Sequence, residues 1–241
     1  MVNFAYRPLV AIALMVMLVA CTAPSNSADT PSASAPAVPG ADTVAPAGLP
    51  RLQGKATVVL TVNGKPITIE VNGTDAPVTG GNFVDLVKRG FYDGTRFHRV
   101  IPGFVAQGGD PYSKADNPTE PVGTGGFVDP KTGKPREIPL EILPEGASQP
   151  VYSKTLKSAD ITQPPKLKHV RGAVAMARSM LPDSASSQFY IALDDAGTAN
   201  LDGDYAVFGT VKEGMDVVET IKQGDKLESA KITQGAENLK E

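Results

Sequence analysis

The stretch FHRVIPGFVAQGGD, residues 97–110, sets one arginine inside an apolar, turn-broken run. A guanidinium among apolar residues needs something to pair with, because unpaired buried charge is costly. Thr95, Phe97, Arg99 and Ile101 alternate in the way that places strand residues on one face. The Pro102-Gly103 pair then turns the chain, so that Gln107 can return beside Arg99 with Phe104 and Val105 at the fold-back. The product is a fixed guanidinium and an amide next to a small apolar patch. On these residues alone two roles stay open: Arg99 pairs with a carboxylate of the core, or it faces something that arrives from outside.

Other chemistry-bearing residues do not assemble into motifs. GTGGFVDPKTGK, residues 123–134, is glycine-rich but lacks the spacing of a phosphate loop, and no clear strand feeds it. Asp202 and Asp204 flank Gly203 in NLDGDY, which is too short for a calcium loop and has no terminal glutamate. His98 and His169 stand far apart with no cysteine beside them, so the sequence offers no metal site. The serines of PDSASSQ lack a nucleophile elbow. A formal net charge of −3 without a basic stripe argues against nucleic acid as a partner. Neither a cofactor nor a metal is expected.

The elements that must position Arg99 begin after a long leader. MVNFAYRPLVAIALMVMLVAC carries a single positive charge, Arg7, and then an unbroken apolar run from Leu9 to Ala20. That run is short for a membrane-spanning helix, which needs about 20 residues, and suits the core of a signal peptide over residues 1–20. Cys21, the chain's one cysteine, follows directly. It is either a chance cysteine near an ordinary cleavage site or, since LVAC resembles the bacterial lipobox, the acylated first residue of a membrane-anchored lipoprotein. Residues 21–53 are rich in Ala, Pro, Ser and Thr and cannot bury enough apolar surface to order themselves, so they read as a disordered tether.

From about residue 54 the pattern becomes that of a folded domain, expected to run to 236 with a short tail over 237–241. ATVVLTV and ITIEV are β-branched runs separated by NGKP, a hairpin signal. APVTGGNFVDLVKRG places Phe83, Leu86 and Val87 at helical spacing, with Gly90 as the stop. TRFHRVI and FVAQGG follow as strands. Residues 110–168 are dense in Pro and Gly and read as irregular. Strands resume at GAVAMAR, SQFYIAL and YAVFGTV, a second helix is expected at GMDVVETIKQG, and ESAKITQG reads as the last strand. Many short strands, two helices and hairpin connections predict a mainly β fold: a closed antiparallel barrel capped by two α-helices.

FHRVIPGFVAQGGD also resembles the signature of the cyclophilins, peptidyl-prolyl cis-trans isomerases built on an eight-stranded barrel. The likeness extends to NFVDLVKRGFYDGTRFHR, SSQFYIAL and NLDGDYAVFGTVKEGMDVVETI, and spans residues 55–235. It implies an isomerase that turns X-Pro bonds in proline-containing unfolded or folding polypeptides, acting as a monomer; the signal-type leader would place it outside the cytoplasm. A proline-segment binding chaperone or scaffold with little turnover is the alternative. By position, the family's catalytic arginine falls on Arg99, with Gln107 and Phe104 beside it. The proline pocket falls on Val105, Tyr190 and Leu201 with Tyr205 at the rim, the backbone-binding segment on Ala177 and Arg178, and the flanking region on Gln188. Four positions depart from the family's usual residues: Val105 for Met, Tyr190 for Phe, Asn200 for Trp and Tyr205 for His. Tyr190 therefore brings a hydroxyl that must find a partner if it is buried, and Asn200 leaves the rim without a large aromatic.

Overall fold

The computed structural model describes residue 44 and residues 46–240. The expected signal segment, Cys21 and most of the tether lie outside the described residues.

Eight strands form one antiparallel sheet: β1 (Lys55–Val62), β2 (Lys65–Asn72), β3 (Arg99–Ile101), β4 (Val105–Gly108), β5 (Ala173–Met176), β6 (Phe189–Ala192), β7 (Val207–Glu213) and β8 (Leu227–Gln234). Their order across the sheet is β8-β1-β2-β7-β5-β6-β4-β3. β1 and β2 form the expected hairpin around Asn63 and Gly64, both with positive φ, as a two-residue primed turn requires. Strict alternation then sends Val58, Leu60, Val62, Ile67, Ile69 and Val71 inward, all fully buried.

The expectation of a closed barrel is corrected. The edge strands β3 and β8 do not pair, and the sheet is open and strongly curled. Residues 95–97, which were expected to extend β3, instead meet the first residue of β8 and the turn before it. Gly94 N–H donates to Leu227 O at 2.8 Å, Leu227 N–H to Thr95 O at 2.8 Å and Phe97 N–H to Asp225 O at 2.9 Å. These bonds, with an isolated Arg96–Lys226 bridge, bring the approach to β3 against the start of β8, but no ladder continues along the two strands. The alternation read from TRFHRVI breaks at the same place. Thr95 and Phe97 are buried in the core, whereas Arg99 and Ile101 are exposed.

Helix α1 (Pro77–Lys88) lies where its periodicity put it, and Gly90 follows it as expected, with Gly90 N–H bonded to Val87 O and Phe91 N–H to Leu86 O. Two shorter helical segments follow, α2 (Asp195–Thr198) and α3 (Met215–Thr220). The single turn of α2 was not expected, and Asp194 caps it by accepting from Gly197 N–H at 2.8 Å. In the core, Phe83 of α1 packs on Tyr92, Phe189 and Phe208 with ring centroids 5.2, 5.4 and 4.9 Å away.

The domain reaches past both expected bounds. Arg51–Leu52 pairs with Leu239–Lys240, and Leu52 is fully buried. This segment crosses α1 at Gly81, where a β-carbon would stand 2.5 Å from Pro50 O and from Arg51 Cα. A glycine in mid-helix costs up to about 1 kcal/mol, and here it admits the crossing chain.

The irregular segment 110–168 supports α1 as well. Within it, Glu141–Ile142 pairs with Val151–Tyr152, and Leu140, Ile142, Val151, Leu156 and Ile161 gather into a second apolar cluster. The buried Glu141 carboxylate accepts from the N–H groups of Val78 (3.1 Å) and Thr79 (2.7 Å) and from the Tyr152 hydroxyl (2.9 Å). Helix α1 has no side-chain cap of its own at Ala76. Glu141 thus satisfies the open N–H groups of a helix more than sixty residues earlier.

Candidate active site

β5 and β6 are buried along their whole length, which is why they read as unbroken apolar runs. One face feeds the main core through Val174, Met176, Phe189 and Ile191. The other face carries Ala173, Ala175, Tyr190 and Ala192, packed with Val105 and Val207 into a separate cluster outside the curl. On that outer face the register draws one continuous rung: Arg99 opposite Gln107, Gln107 opposite Tyr190, Tyr190 opposite Ala175, and Ala175 opposite Val207. Alanine at 175 and 192 leaves space that larger residues would fill. The 199–205 segment brings Leu201 and Tyr205 over the same space. A cavity of about 240 Å³ results, with Arg99 and Gln107 at one edge and Phe104, Val105, Tyr190 and Leu201 around it.

Every substrate-facing residue expected from the sequence except Gln188 lines this notch, Ala177, Arg178 and Tyr205 included. Gln188 lies next door, in a wider groove of about 600 Å³ that shares Gln107, Ala177 and Arg178 with the notch. Arg99 is exposed at the mouth rather than half-buried, and among the described residues no carboxylate lies within ion-pair distance of it. Of the two roles open at the start, pairing with a core acid is therefore the one the geometry does not realise. The guanidinium lies 5.7 Å from the Phe104 ring centroid, and its Nη1 donates to Gln107 Oε1 at 3.3 Å.

That contact is the end of a relay. Gln188 Nε2 donates to the carbonyls of Gly123 (3.0 Å) and Gly125 (2.8 Å), so Gln188 Oε1 is left to accept from Gln107 Nε2 at 3.0 Å. With its own nitrogen engaged, Gln107 must turn Oε1 toward Arg99. The 123–125 loop is held in turn by the fully buried Asp110, whose Oδ2 accepts from the N–H groups of Gly123 and Gly125. A β-carbon on Gly125 would collide with that carboxylate. The glycines of GTGGF thus permit close packing of this loop against Asp110. Asp110, though part of the opening stretch, was not among the expected site residues, since nothing in the sequence joins it to a loop thirteen residues on.

Replacing Gln188 with leucine should lower kcat/KM on an X-Pro peptide by about fivefold, the worth of one hydrogen bond that fixes Gln107. A coupled proline-isomerisation assay measures this, and an unchanged kcat/KM would show that the relay does not hold Arg99.

Arg178 has its side chain committed to the protein: Nε and Nη2 donate to Asp204 O at 3.0 and 2.8 Å, and the guanidinium covers the Tyr205 ring at 4.6 Å. It ties the β5 end to the 204–205 wall of the notch. Tyr190 is buried, its hydroxyl 2.9 Å from His169 Nε2, and burial pushes its pKa well above the ordinary phenol value. The hydroxyl's partner is thus His169, which the sequence reading considered only as a metal ligand.

The protein is thus mainly β, with an apolar notch edged by hydrogen-bond donors on one face of a curled sheet. The chain belongs to the cyclophilin type peptidyl-prolyl cis-trans isomerase family, whose model matches residues 57–237. It is 44% identical over 201 residues to a Synechocystis protein named as a candidate thylakoid lumen peptidyl-prolyl cis-trans isomerase, covering 80% of this chain and 51% of that one. It is 40% identical over 207 residues to the chloroplastic peptidyl-prolyl cis-trans isomerase CYP38 of Arabidopsis thaliana, covering 79% and 45%. The chain therefore spans about half the length of these curated relatives. Among solved structures, a Cryptosporidium parvum cyclophilin crystallised in the presence of the dipeptide Ala-Pro is similar, with a TM-score of 0.54, 26% identity and coverage of 74% of this chain and 99% of that one.

Proposed function

We propose that this protein accelerates the cis-trans rotation of X-Pro bonds in polypeptides outside the cytoplasm, with Arg99 as the central group. The observation that carries the reading is the unpaired guanidinium at the edge of a notch large enough for a proline ring. A trans amide resists rotation by about 18–20 kcal/mol because turning it breaks the C–N conjugation. X-Pro bonds consequently isomerise in tens to hundreds of seconds. In the twisted state the proline nitrogen regains a lone pair, and no proton leaves and no covalent bond forms. The chemistry asks for neither a base nor a nucleophile, in keeping with the sequence, where no such motif assembles.

Phe104, Val105, Tyr190 and Leu201 grip the ring while the N-terminal side of the peptide turns. Arg99 donates to the proline carbonyl and to the emerging nitrogen lone pair. Only contacts that are stronger in the twisted state than in the planar ones speed the step, and Gln107 holds the guanidinium ready for it. The peptide, once seated, covers the mouth and strengthens these bonds by excluding water. Ala177 and Arg178, at the border between the notch and the wider groove, face the peptide backbone, and Gln188 faces the residues flanking the proline. A proline-limited refolding assay comparing the protein with Arg99→Ala tests the reading, and equal rates overturn it.

The location outside the cytoplasm rests on the signal-type leader and on the lumenal and chloroplastic names of the two relatives. In this reading Cys21 carries the lipid, and more than one acyl chain makes the anchoring firm. Labelling with a palmitate analogue in a bacterial host should mark the protein, and Cys21→Ser should abolish the label and release the protein from membranes. Label that persists in Cys21→Ser removes the anchor from the proposal.

A further inference from the structure

The ring of Tyr190 forms the floor of the notch, but its hydroxyl is buried and needs a partner. His169 supplies it, and is itself held from the other side. His169 Nδ1 lies 2.7 Å from Asp202 Oδ1, which also accepts the His169 backbone N–H at 2.8 Å, and the His169 carbonyl accepts from Thr198 Oγ1 at 2.9 Å. The His169 side chain is 1% exposed and lies nearly parallel to the Tyr190 ring, with ring centroids 5.9 Å apart and planes 14° apart.

These contacts set the tautomer. A carboxylate only accepts, so Nδ1 carries the hydrogen, Nε2 keeps its lone pair, and the Tyr190 hydroxyl donates to it. Burial favours this neutral ring by pushing the His169 pKa below its ordinary value, against the pull of Asp202. Asp202 directly follows Leu201, which covers the notch, and Tyr190 lies beneath it. One imidazole thereby joins two walls of the notch, and it comes from a third segment twenty-one residues before Tyr190.

We propose that His169, as the neutral Nδ1–H tautomer, is a positioning residue for the proline notch, locking the Tyr190 ring to the Leu201 segment through Asp202. The inference rests on the isomerase reading for its kinetic consequence, though not for its geometry. It also accounts for the tyrosine at 190. The hydroxyl turns a wall that would be held by packing alone into one with a fixed direction, since a hydrogen bond has a preferred angle and a packed ring does not.

Two measurements on the full chain test it. Nitrogen-15 NMR of the imidazole near neutral pH should show a protonated Nδ1 and a lone-pair Nε2. The opposite tautomer, or an imidazolium, overturns the proposal whether or not the protein is an isomerase. In a steady-state assay, His169→Leu strands the Tyr190 hydroxyl, and KM for an X-Pro peptide should rise about tenfold with a smaller change in kcat. Adding Tyr190→Phe removes the stranded hydroxyl, so the double variant should return to within about threefold of Tyr190→Phe alone. A double variant as impaired as His169→Leu means that the imidazole only fills space, and the proposal falls. Should Arg99→Ala prove fully active, the isomerase reading fails by itself, and the tautomer still decides the clamp.

Discussion

Arg99→Ala should lose roughly 10²–10³-fold in kcat/KM on an X-Pro peptide, the scale on which removal of one preorganised transition-state donor is felt. The fold should be untouched, because Arg99 is exposed and its one hydrogen bond to a side chain, at 3.3 Å to Gln107, is a weak one. The change therefore isolates chemistry from stability. Arg99→Lys is the sharper variant, since it keeps the charge but loses the planar fork that can reach a carbonyl and a nitrogen together. It should recover less than a tenth of the lost activity. A lysine variant near full activity would mean that positive charge alone does the work, and the directional donor assigned to Arg99 would have to be given up. Thermal unfolding run beside the kinetics should show matching transitions for all three proteins.

Asp85→Ala should have the largest effect on stability, about 3–5 kcal/mol, the cost of stripping one partner from a buried ion pair. The Asp85 side chain is 1% exposed, and its Oδ2 accepts from Arg89 Nε at 2.8 Å and from Arg136 Nη1 at 2.7 Å. Arg136, whose side chain is 11% exposed, comes from the irregular segment and otherwise rests on the Phe127 ring at 4.3 Å. Without Asp85 its guanidinium stays buried against that ring with no countercharge. For a domain of this size the melting temperature should fall by on the order of 10 °C. Asp85→Asn, which keeps an oxygen to accept one donor, should cost less. A loss below about 1 kcal/mol for Asp85→Ala would show that the segment carrying Arg136 relaxes away from α1 instead of remaining docked.

Activity and stability are thus carried by different parts of the segment after β4. Residues 123–125 hold Gln188 and, through it, Gln107, so they bear on Arg99. Arg136 and Glu141 hold α1, one at its buried carboxylate and the other at its first turn. The stretch that looked least regular in the sequence serves both the site and the core, through side-chain bonds that leave no periodic trace.

What the sequence determined by itself was local. Alternating β-branched runs around Asn63-Gly64 specify a hairpin, because period-two burial and a two-residue primed turn admit little else. The Pro102-Gly103 fold-back likewise places Gln107 across from Arg99, eight residues away. It sets Phe104 and Val105 beside them as well, whereas the other site residues were legible only through resemblance to a family. Tertiary structure alone decided which distant groups meet: Tyr190 on the same rung as Gln107, His169 between Tyr190 and Asp202, Glu141 at the start of α1. It also decided that the sheet stays open: the two edges touch only where residues 94–97 meet 224–227, and no ladder forms between β3 and β8. The physical reason is common to all of these. A short-range pattern records which face of an element is apolar, whereas register between strands and the pairing of buried polar groups are settled only when the whole chain competes for its partners.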